Sequence, residues 1–404
     1  MSFSSVIWQT ILFFLTFWLG CYLIARDASR LQLWLAGLGM LAFSAGVVVL
    51  LLGTFAPSAQ MALALYRLQR LFVLLPALFW LGAMIWLIPN RVAWEERYGR
   101  QQQLLGLSMA CILAYGLVIS VIIIPGRQTI PAWVGTFIAL DLFIFGLVIT
   151  QLDASDKGEA WLYHFLRAFD YSFFAALIFG GQIVLVMRYS FGLNFPLVLL
   201  LLASVAASVL IQTFSDLVQG WLDRIAFFNA PQLRQARAAQ RAEDSAAQRL
   251  DATLDLLDVP LAEFERLTRR ALSQMGNLPK LASSPLTRLP VVSQRLAQNG
   301  QPDGTLIRAS ELKTVLTESI TKLQPRDEGE FGTTDAWRHY NALYFPYVVG
   351  LRPYSRRAFH NEDYQDVLAW FRSQVPERTL YNWQTAAACL VARDLRERSR
   401  HLAP

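Results

Sequence analysis

Few residues in this sequence could carry out chemistry, and the most unusual of them is an acid inside an apolar run. Asp141 lies in the segment Ile138-Ala-Leu-Asp-Leu-Phe-Ile144. If this run crosses a membrane, a carboxylate at its centre costs roughly 2.5–3.5 kcal/mol and normally faces the interior of a helix bundle. Such an acid could bind a ligand, a cation or a proton. It could also tie helices together as a protonated or hydrogen-bonded group, with Gln182 or Tyr115 as its partner. A lone acid is not a proton relay, so the structural interpretation is favoured.

A second group of polar residues stands near the C-terminus, at the start of a predicted helix. Val375-Pro-Glu forms a short turn after the helix Asp363–Gln374, and a longer helix begins with Arg378-Thr-Leu-Tyr-Asn-Trp383. Helix, short turn and helix are the outline of a helix-turn-helix motif, whose second helix contacts base edges with residues near its start. The candidate contact residues are Arg378, Thr379, Asn382 and Thr385, together with Arg356 and Arg357 of the preceding basic loop.

Other chemistry has little support in the sequence. The three cysteines and four histidines are scattered along the chain, so they predict neither a disulfide framework nor a metal site. There is no glycine-rich phosphate loop, no paired metal-ligand motif and no nucleophile with a plausible base nearby. We therefore predict that the protein is not an enzyme and needs no cofactor.

The composition predicts where these residues stand relative to a membrane. Hydrophobic residues make up 54% of the 404 residues and charged residues only 16%, against about 25% in ordinary globular domains. Residues 1–225 contain 12 Lys or Arg and 10 Asp or Glu, whereas residues 226–404 contain 24 and 20. This distribution predicts a membrane-embedded first half followed by a soluble tail.

Seven segments have the length of about 20 mostly apolar residues that a membrane-spanning helix needs. Charged or helix-breaking residues separate them, including the connections Asp27 to Arg30 and Asp153 to Asp170. We predict an all-α fold, with a seven-span bundle followed by a helical region that ends in the helix-turn-helix-like unit. The predicted spans are Val6–Ala25, Leu31–Phe55, Leu71–Pro89, Leu104–Pro125, Ala132–Gln151, Tyr171–Met187 and Phe195–Thr213.

The basic residues of the short loops predict the orientation. Before the tail, one set of loops holds seven Lys or Arg and the other set holds four. Because positive loops stay in the cytoplasm, we predict a multi-pass inner-membrane protein with its N-terminus outside and residues 214–404 in the cytoplasm.

The chain is predicted to have three regions: a membrane domain (1–228), a helical connector with a proline-rich loop (229–334) and the helix-turn-helix-like unit (335–404). Leu217, Trp221, Ile225 and Phe228 follow at helical spacing, so the last span is expected to continue as a partly interfacial helix. In the connector, the prolines of Gly276–Pro302 predict a loop or a packed irregular segment. The basic residues around this loop would suit phospholipid headgroups or, alternatively, nucleic acid.

Both ends of the chain resemble known families. The run Val375-Pro-Glu-Arg-Thr-Leu-Tyr-Asn-Trp-Gln-Thr-Ala-Ala is similar to the recognition-helix half of sigma-factor fourth-region domains, over 30–40 residues. The turn departs from the usual pattern because it contains no glycine. The first half resembles the seven-helix membrane sensor regions that precede bacterial histidine kinases. That resemblance is carried by the organisation, by the arginine-rich loop after Pro89-Asn90-Arg91, and by the long helix that leaves the last span.

These observations lead to three hypotheses about function. The first is a membrane-embedded, receptor-like signalling protein whose cytoplasmic helical domain binds a partner, either a protein or DNA. The second is a structural membrane anchor or assembly scaffold with a protein-docking tail. The third is a component of a transporter. In each of them the lipid bilayer is a partner, and the chain could also associate with copies of itself.

Overall fold

The computed structural model of the chain describes residues 2–27, 30–87, 106–107, 109–111, 113–115, 132–157, 161–228, 230–249, 256–325, 331–354 and 364–402. Within these ranges the regular structure is entirely helical, which confirms the predicted all-α class. The chain divides into two compact units. The membrane unit comprises Met1–Ala154 and Trp161–Asn229, and the C-terminal unit comprises Ser155–Ala160 and Ala230–Pro404.

The membrane unit contains six described helices that are long and apolar enough to cross a membrane, so the prediction of a membrane protein is confirmed at this level. Of the predicted span Leu104–Pro125, residues 106–107, 109–111 and 113–115 are helical, and the rest of that prediction lies outside the described residues. The six helices are α1 Phe3–Arg26, α2 Leu31–Thr54, α3 Ala59–Leu87, α4 Ala132–Lys157, α5 Trp161–Val186 and α6 Phe195–Thr213. A π-helical turn, Met187–Phe191, extends α5, and the short helix α7 Ser215–Ala226 follows α6.

Glycines allow α2 to pack closely against the helices on either side of it. A Cβ atom on Gly20 of α1 would meet the Gly37 carbonyl oxygen of α2 at 3.0 Å, so the two backbones are almost in contact. Small residues permit this close approach of two helices. In lipid, van der Waals packing between helices drives their association, because no hydrophobic effect does so. On the other side of α2, Gly46 faces Phe72 and Gly53 faces Leu65 of α3. These pairings make α2 antiparallel to both α1 and α3.

A buried ion pair joins α1, α2 and α4 at one end of the bundle. The two oxygens of Asp153 each lie 2.7 Å from an arginine, Oδ2 from Arg26 Nε and Oδ1 from Arg30 Nη1. Arg26 also donates a hydrogen bond to the Tyr22 hydroxyl at 3.1 Å. At the other end, Trp8 Nε1 donates to Thr136 Oγ1 at 2.9 Å. Helices α1 and α4 therefore run parallel along their whole lengths.

The C-terminal unit is built from eight α-helices among its described residues. Its longest helix, α15, packs against α9 and α13 and also contacts α11 and α12. The helices are α8 Pro231–Arg249, α9 Leu261–Gln274, α10 Leu278–Ala282, α11 Pro290–Gln298, α12 Thr305–Thr321, α13 Arg338–Leu343, α14 Gln365–Gln374 and α15 Glu377–His401. Helix α13 is preceded by a 3-10 turn, Asp335–Trp337, and continues into a π-helical segment, Tyr344–Val349, which ends at Gly350 with a left-handed φ of 87°.

The segment Gly276–Pro302, predicted to be a loop or a packed irregular segment, is more helical than expected. This segment contains α10, a 3-10 turn at Pro285–Arg288 and α11. Each of these three elements carries a proline in its first two positions, where the missing N–H costs nothing and the fixed φ suits a helix. The prolines that suggested a loop therefore start short helices.

One hydrophobic core runs through most of the C-terminal unit, from Leu256 to Leu395. It contains residues from both sides of the boundary predicted between residues 334 and 335. A second, smaller cluster around Phe345 and Phe371 holds α14 and the start of α15. Helix α15 contributes Leu380 to the smaller cluster and Val391 and Leu395 to the larger one, so this single helix belongs to both.

We predict that Asp153→Asn destabilises the membrane unit more than the same substitution does at an exposed aspartate. The Asp153 side chain is only 3% exposed, and its loss leaves two arginines without their carboxylate. Breaking a buried ion pair in this way costs about 3–5 kcal/mol. Denaturant unfolding of the protein in nanodiscs, followed by tryptophan fluorescence, measures this change. Asp170→Asn, at an exposed position of α5, is the control and should change little. An equal effect of the two variants would contradict the prediction.

Candidate functional site

The intramembrane candidate site surrounds Asp141, which lies inside α4. The Cys111 thiol lies within hydrogen-bonding distance of the Asp141 carboxylate. The Tyr115 hydroxyl lies near the same carboxylate and interacts with its charge. Cys111 and Tyr115 are both buried. Among the described residues, the second oxygen of Asp141, Oδ2, is buried and has no hydrogen-bond partner. This leaves one acceptor that a proton, a cation or a ligand donor could occupy.

Aromatic packing positions Tyr115 beside Asp141. The Tyr115 ring lies 5.3 Å from the ring of Trp80 in α3, and Trp80 lies 4.4 Å from Phe145, one turn along α4 from Asp141. Trp80 is completely buried and sits directly against Gly39 of α2, where a Cβ atom would collide with its indole ring. Nothing in the sequence marks Gly39 and Trp80 as parts of this site, because glycine and tryptophan are common in apolar spans.

The two predicted partners of Asp141 differ in their positions. Tyr115 is beside the acid, as described above. The side chain of Gln182 is exposed on α5, and no hydrogen bond joins it to Asp141 in the described part of the chain. Cys111 was not among the predicted partners, yet its thiol lies within hydrogen-bonding distance of the carboxylate. Its four-residue spacing from Tyr115 on a predicted span was the available signal.

The second candidate site is the helix pair α14–α15, which is joined by the two residues Val375 and Pro376. The turn is held from outside the pair: the Tyr354 hydroxyl donates to the Val375 carbonyl at 2.6 Å, and Arg372 Nε donates to the Pro353 carbonyl at 2.8 Å. Val375 is buried in the smaller core cluster. The turn needs no glycine, because Val375 has an ordinary extended conformation that any residue can adopt.

The predicted contact residues have unequal exposure at the start of α15. Arg378 and Asn382 are exposed, whereas Thr379 and Thr385 are half-buried. The Thr385 hydroxyl donates to the Tyr381 carbonyl at 3.0 Å, so it is engaged with its own helix. Tyr381, which the sequence analysis did not select, is 59% exposed between Arg378 and Asn382. Arg356 and Arg357 lie outside the described residues.

The arginines in the second half of α15 hold the unit together. Arg396 donates to the Leu257 and Val259 carbonyls at 2.9 and 2.6 Å and lies over the Phe264 ring. Arg393 pairs with Glu265, and Arg398 pairs with Glu318 and Asp394. Their charges are therefore partly neutralised by internal partners. No ion pair of Arg378 is present among the described residues, so its charge is available to a partner molecule.

Helix α9 adds a basic group to the same face. Burial is the main cause that raises the pKa of Tyr347; the nearby Arg269 lowers it and Tyr381 raises it further. Arg269 and Tyr381 therefore each lie near Tyr347.

On another part of the unit, burial lowers the pKa of His339, and the adjacent charge of Arg338 lowers it further. His339 is thus held in its neutral form near neutral pH and adds no positive charge there.

Comparisons of the chain with protein-family models, with curated protein sequences and with solved structures found no match. The described residues also contain no group of three or more His, Cys, Asp and Glu side chains that could hold a metal ion. The functional interpretation therefore rests on the geometry of the two candidate sites.

Two polar contacts that the sequence analysis did not anticipate connect helices in each unit. Asp153 was predicted in a loop, but it lies within α4 and is buried by Arg26 and Arg30. In the C-terminal unit, Glu243 of α8 accepts a hydrogen bond from the backbone N–H of Thr305, the first residue of α12, at 3.1 Å. The opposite charges at the ends of the predicted spans were a signal for the first contact, whereas nothing in the local sequence marks Glu243.

We predict that Gly39→Ala destabilises the membrane unit by displacing Trp80 from its place beside Tyr115. Overfilling a packed interior costs about 1–3 kcal/mol. Gly135→Ala in α4 is the matched control, because a Cβ atom there meets nothing within 4 Å. Thermal unfolding of both variants in nanodiscs measures the difference. The expected result is a lower midpoint for Gly39→Ala alone, and Gly39→Ala combined with Trp80→Leu should recover part of the loss. An unchanged midpoint for Gly39→Ala would contradict the packing argument.

Proposed function

We propose that this chain is a membrane-embedded signalling protein whose C-terminal unit is the output domain and binds a partner through the exposed start of α15. The observation that carries the proposal is the contrast within α15. Arg393, Arg396 and Arg398 of its second half are bound internally. Arg378, Tyr381 and Asn382 are exposed at its start, next to a turn that Tyr354 and Arg372 hold in place. A surface that is fixed but unoccupied within the unit suits recognition of another molecule.

The membrane unit is proposed to have seven spans. Because α1 and α4 run parallel, the chain between them must cross the membrane an odd number of times. Helices α2 and α3 supply two crossings. The third is proposed to be the predicted span Leu104–Pro125, and the contact of Tyr115 with Trp80 in the middle of the bundle supports this. The C-terminus then leaves the bundle on the side of Asp153, opposite to the N-terminus, and the loop charges predict that this side is cytoplasmic.

A chain of contacts offers a route by which the C-terminal unit could respond to a stimulus. Helix α8 follows α7 directly in sequence and reaches α12 through Glu243 and Thr305. Helix α12 in turn holds α15, since Ser319 donates to Asp394 at 2.8 Å and Lys322 donates to it at 2.7 Å. A shift of α8 would therefore act on α12 and then on α15. Asp141, whose buried Oδ2 has no hydrogen-bond partner among the described residues, is the proposed point at which a stimulus acts on the bundle.

DNA is the partner that we test first. The short turn between α14 and α15, and the exposed arginine, tyrosine and asparagine at the start of α15, suit a recognition helix in the major groove. Arg269 of α9 and Tyr381 both lie near Tyr347, and Arg269 could contact phosphate. A cytoplasmic protein is the alternative partner. The scaffold and transporter hypotheses remain the competing classes, and a transporter would be recognised by substrate uptake into vesicles that contain the purified protein.

We predict that residues 97 and 128 lie on opposite sides of the membrane. Arg97→Cys and Gln128→Cys are introduced one at a time in a Cys389→Ser background, in which the remaining Cys21 and Cys111 are buried. Each variant is labelled in intact cells with a membrane-impermeant maleimide. Gln128→Cys should react from outside, and Arg97→Cys should react only after permeabilisation. Ser4→Cys marks the outside and Arg400→Cys marks the inside. Labelling of both loops from one side would exclude the crossing between them.

We predict salt-dependent binding of duplex DNA by the full-length protein in nanodiscs. Binding to phosphates releases counterions, so the affinity for a mixed-sequence duplex should fall steeply between about 50 and 200 mM salt. Arg378→Ala should weaken binding, by about 1–3 kcal/mol for a preferred sequence if this arginine contacts a base. Asn382→Ala should relax sequence preference.

Arg400→Ala serves as the control, because Arg400 is exposed at the far end of the same helix. Equal losses for Arg378→Ala and Arg400→Ala would indicate attraction by overall charge and contradict recognition by the start of α15. If the protein shows no salt-dependent DNA binding, the DNA version of the proposal fails. The search for a protein partner at the same surface would then replace it.

A further inference from the structure

Helix α7 carries a stripe of large apolar side chains that the described residues of the membrane unit leave exposed. Leu217, Trp221, Ile225 and Phe228 are 63%, 68%, 71% and 71% exposed. They recur at the spacing of one helical face, so they form a continuous stripe along the helix. Exposing such a stripe to water is unfavourable, because each large apolar side chain gains about 1.5–3 kcal/mol when it leaves water completely.

The opposite side of α7 carries the polar residues Asp216, Gln219 and Asp223, and part of it faces the protein. Asp223 is buried, and Gly220 and Phe227, which share its face, are half-buried. Arg224 is exposed at the margin of the apolar stripe. An apolar stripe, a basic residue at its edge and a polar opposite face are typical of helices that lie in the boundary between lipid and water.

The position of α7 along the chain places it at such a boundary. Helix α6 has 19 residues, which span about 28 Å at 1.5 Å per residue and match the hydrocarbon core of a bilayer. Phe214 is the C-cap of α6 and also the N-cap of α7, with φ −105° and ψ 30°, outside the helical region. Helix α6 therefore ends at the surface of the hydrocarbon, and α7 starts there with a change of direction.

The lipid-facing side of α6 leads into the stripe of α7. Leu199, Leu200, Leu210 and Ile211 are exposed on α6, whereas Val198 and Leu201 are buried on the other side. The exposed stripe of α7 therefore follows in the chain directly after a surface that already faces lipid.

We propose that α7 lies in the membrane–water interface, with Leu217, Trp221, Ile225 and Phe228 inserted among the lipid chains and Asp223 turned toward the protein. The partner of this surface is the phospholipid bilayer. Trp221 has the preferred depth of an indole ring, at the level of the headgroups. Arg224 extends from the margin of the stripe to the phosphates. This placement does not depend on the proposed signalling function, since it concerns only the membrane unit.

Photocrosslinking of the full-length protein tests the proposal. Benzoylphenylalanine is incorporated at position 221 or 225, and the protein is reconstituted in nanodiscs of phosphatidylcholine and phosphatidylglycerol. Position 200, which is exposed on α6, is the positive control for lipid contact, and position 219, on the polar face of α7, is the negative control. Mass spectrometry of the irradiated protein identifies what each position has captured.

The expected result is a phospholipid adduct at positions 221 and 225, with a yield within about twofold of that at position 200, and at least tenfold less at position 219. A crosslinked dimer at positions 221 and 225 would overturn the proposal and assign the stripe to a second copy of the chain. Adducts at position 200 without lipid adducts at positions 221 and 225 would also overturn it. The lipid adduct at position 200 shows that the crosslinker reports contact with the bilayer under these conditions.

Discussion

The buried carboxylate of Asp153 is the constraint on which the arrangement of the membrane unit depends. It lies 2.7 Å from both Arg26 and Arg30, and its side chain is almost completely buried. A charge in such a place is stable only when paired, because removing it from water costs several kcal/mol. The end of α1, the start of α2 and the end of α4 must therefore meet. With the hydrogen bond from Trp8 to Thr136 at the opposite end, this contact makes α1 and α4 parallel.

The parallel direction of α1 and α4 has consequences for the rest of the bundle. It orients the apolar surfaces between them, where Gly39 makes room for Trp80 and Trp80 packs against Tyr115 beside Asp141. Asp141 is thereby set against the Cys111 thiol and the Tyr115 phenol.

The C-terminal unit depends on α15 in a comparable way. The second half of α15 belongs to the main core and binds its neighbours through Asp394, Arg396 and Arg398. Its first half belongs to a smaller aromatic cluster with α14. Because both clusters share one continuous helix, a displacement that begins at α12 can reach the exposed residues at the start of α15. The proposed recognition surface and the proposed signalling route are therefore parts of one mechanical element.

The sequence by itself determined the all-α class, the membrane helices, the amphipathic α7 and the short turn before α15, because each follows from local hydrophobicity and helical spacing. Only the tertiary structure decided which polar groups are neighbours. Periodicity could not show that Asp153 leaves the predicted loop to pair with Arg26, that Cys111 stands at Asp141 while Gln182 is exposed, or that the prolines near residue 285 start helices. The positions of Asp153, Cys111 and Gln182 depend on contacts between residues far apart in the chain. A local sequence pattern carries no information about such distant partners.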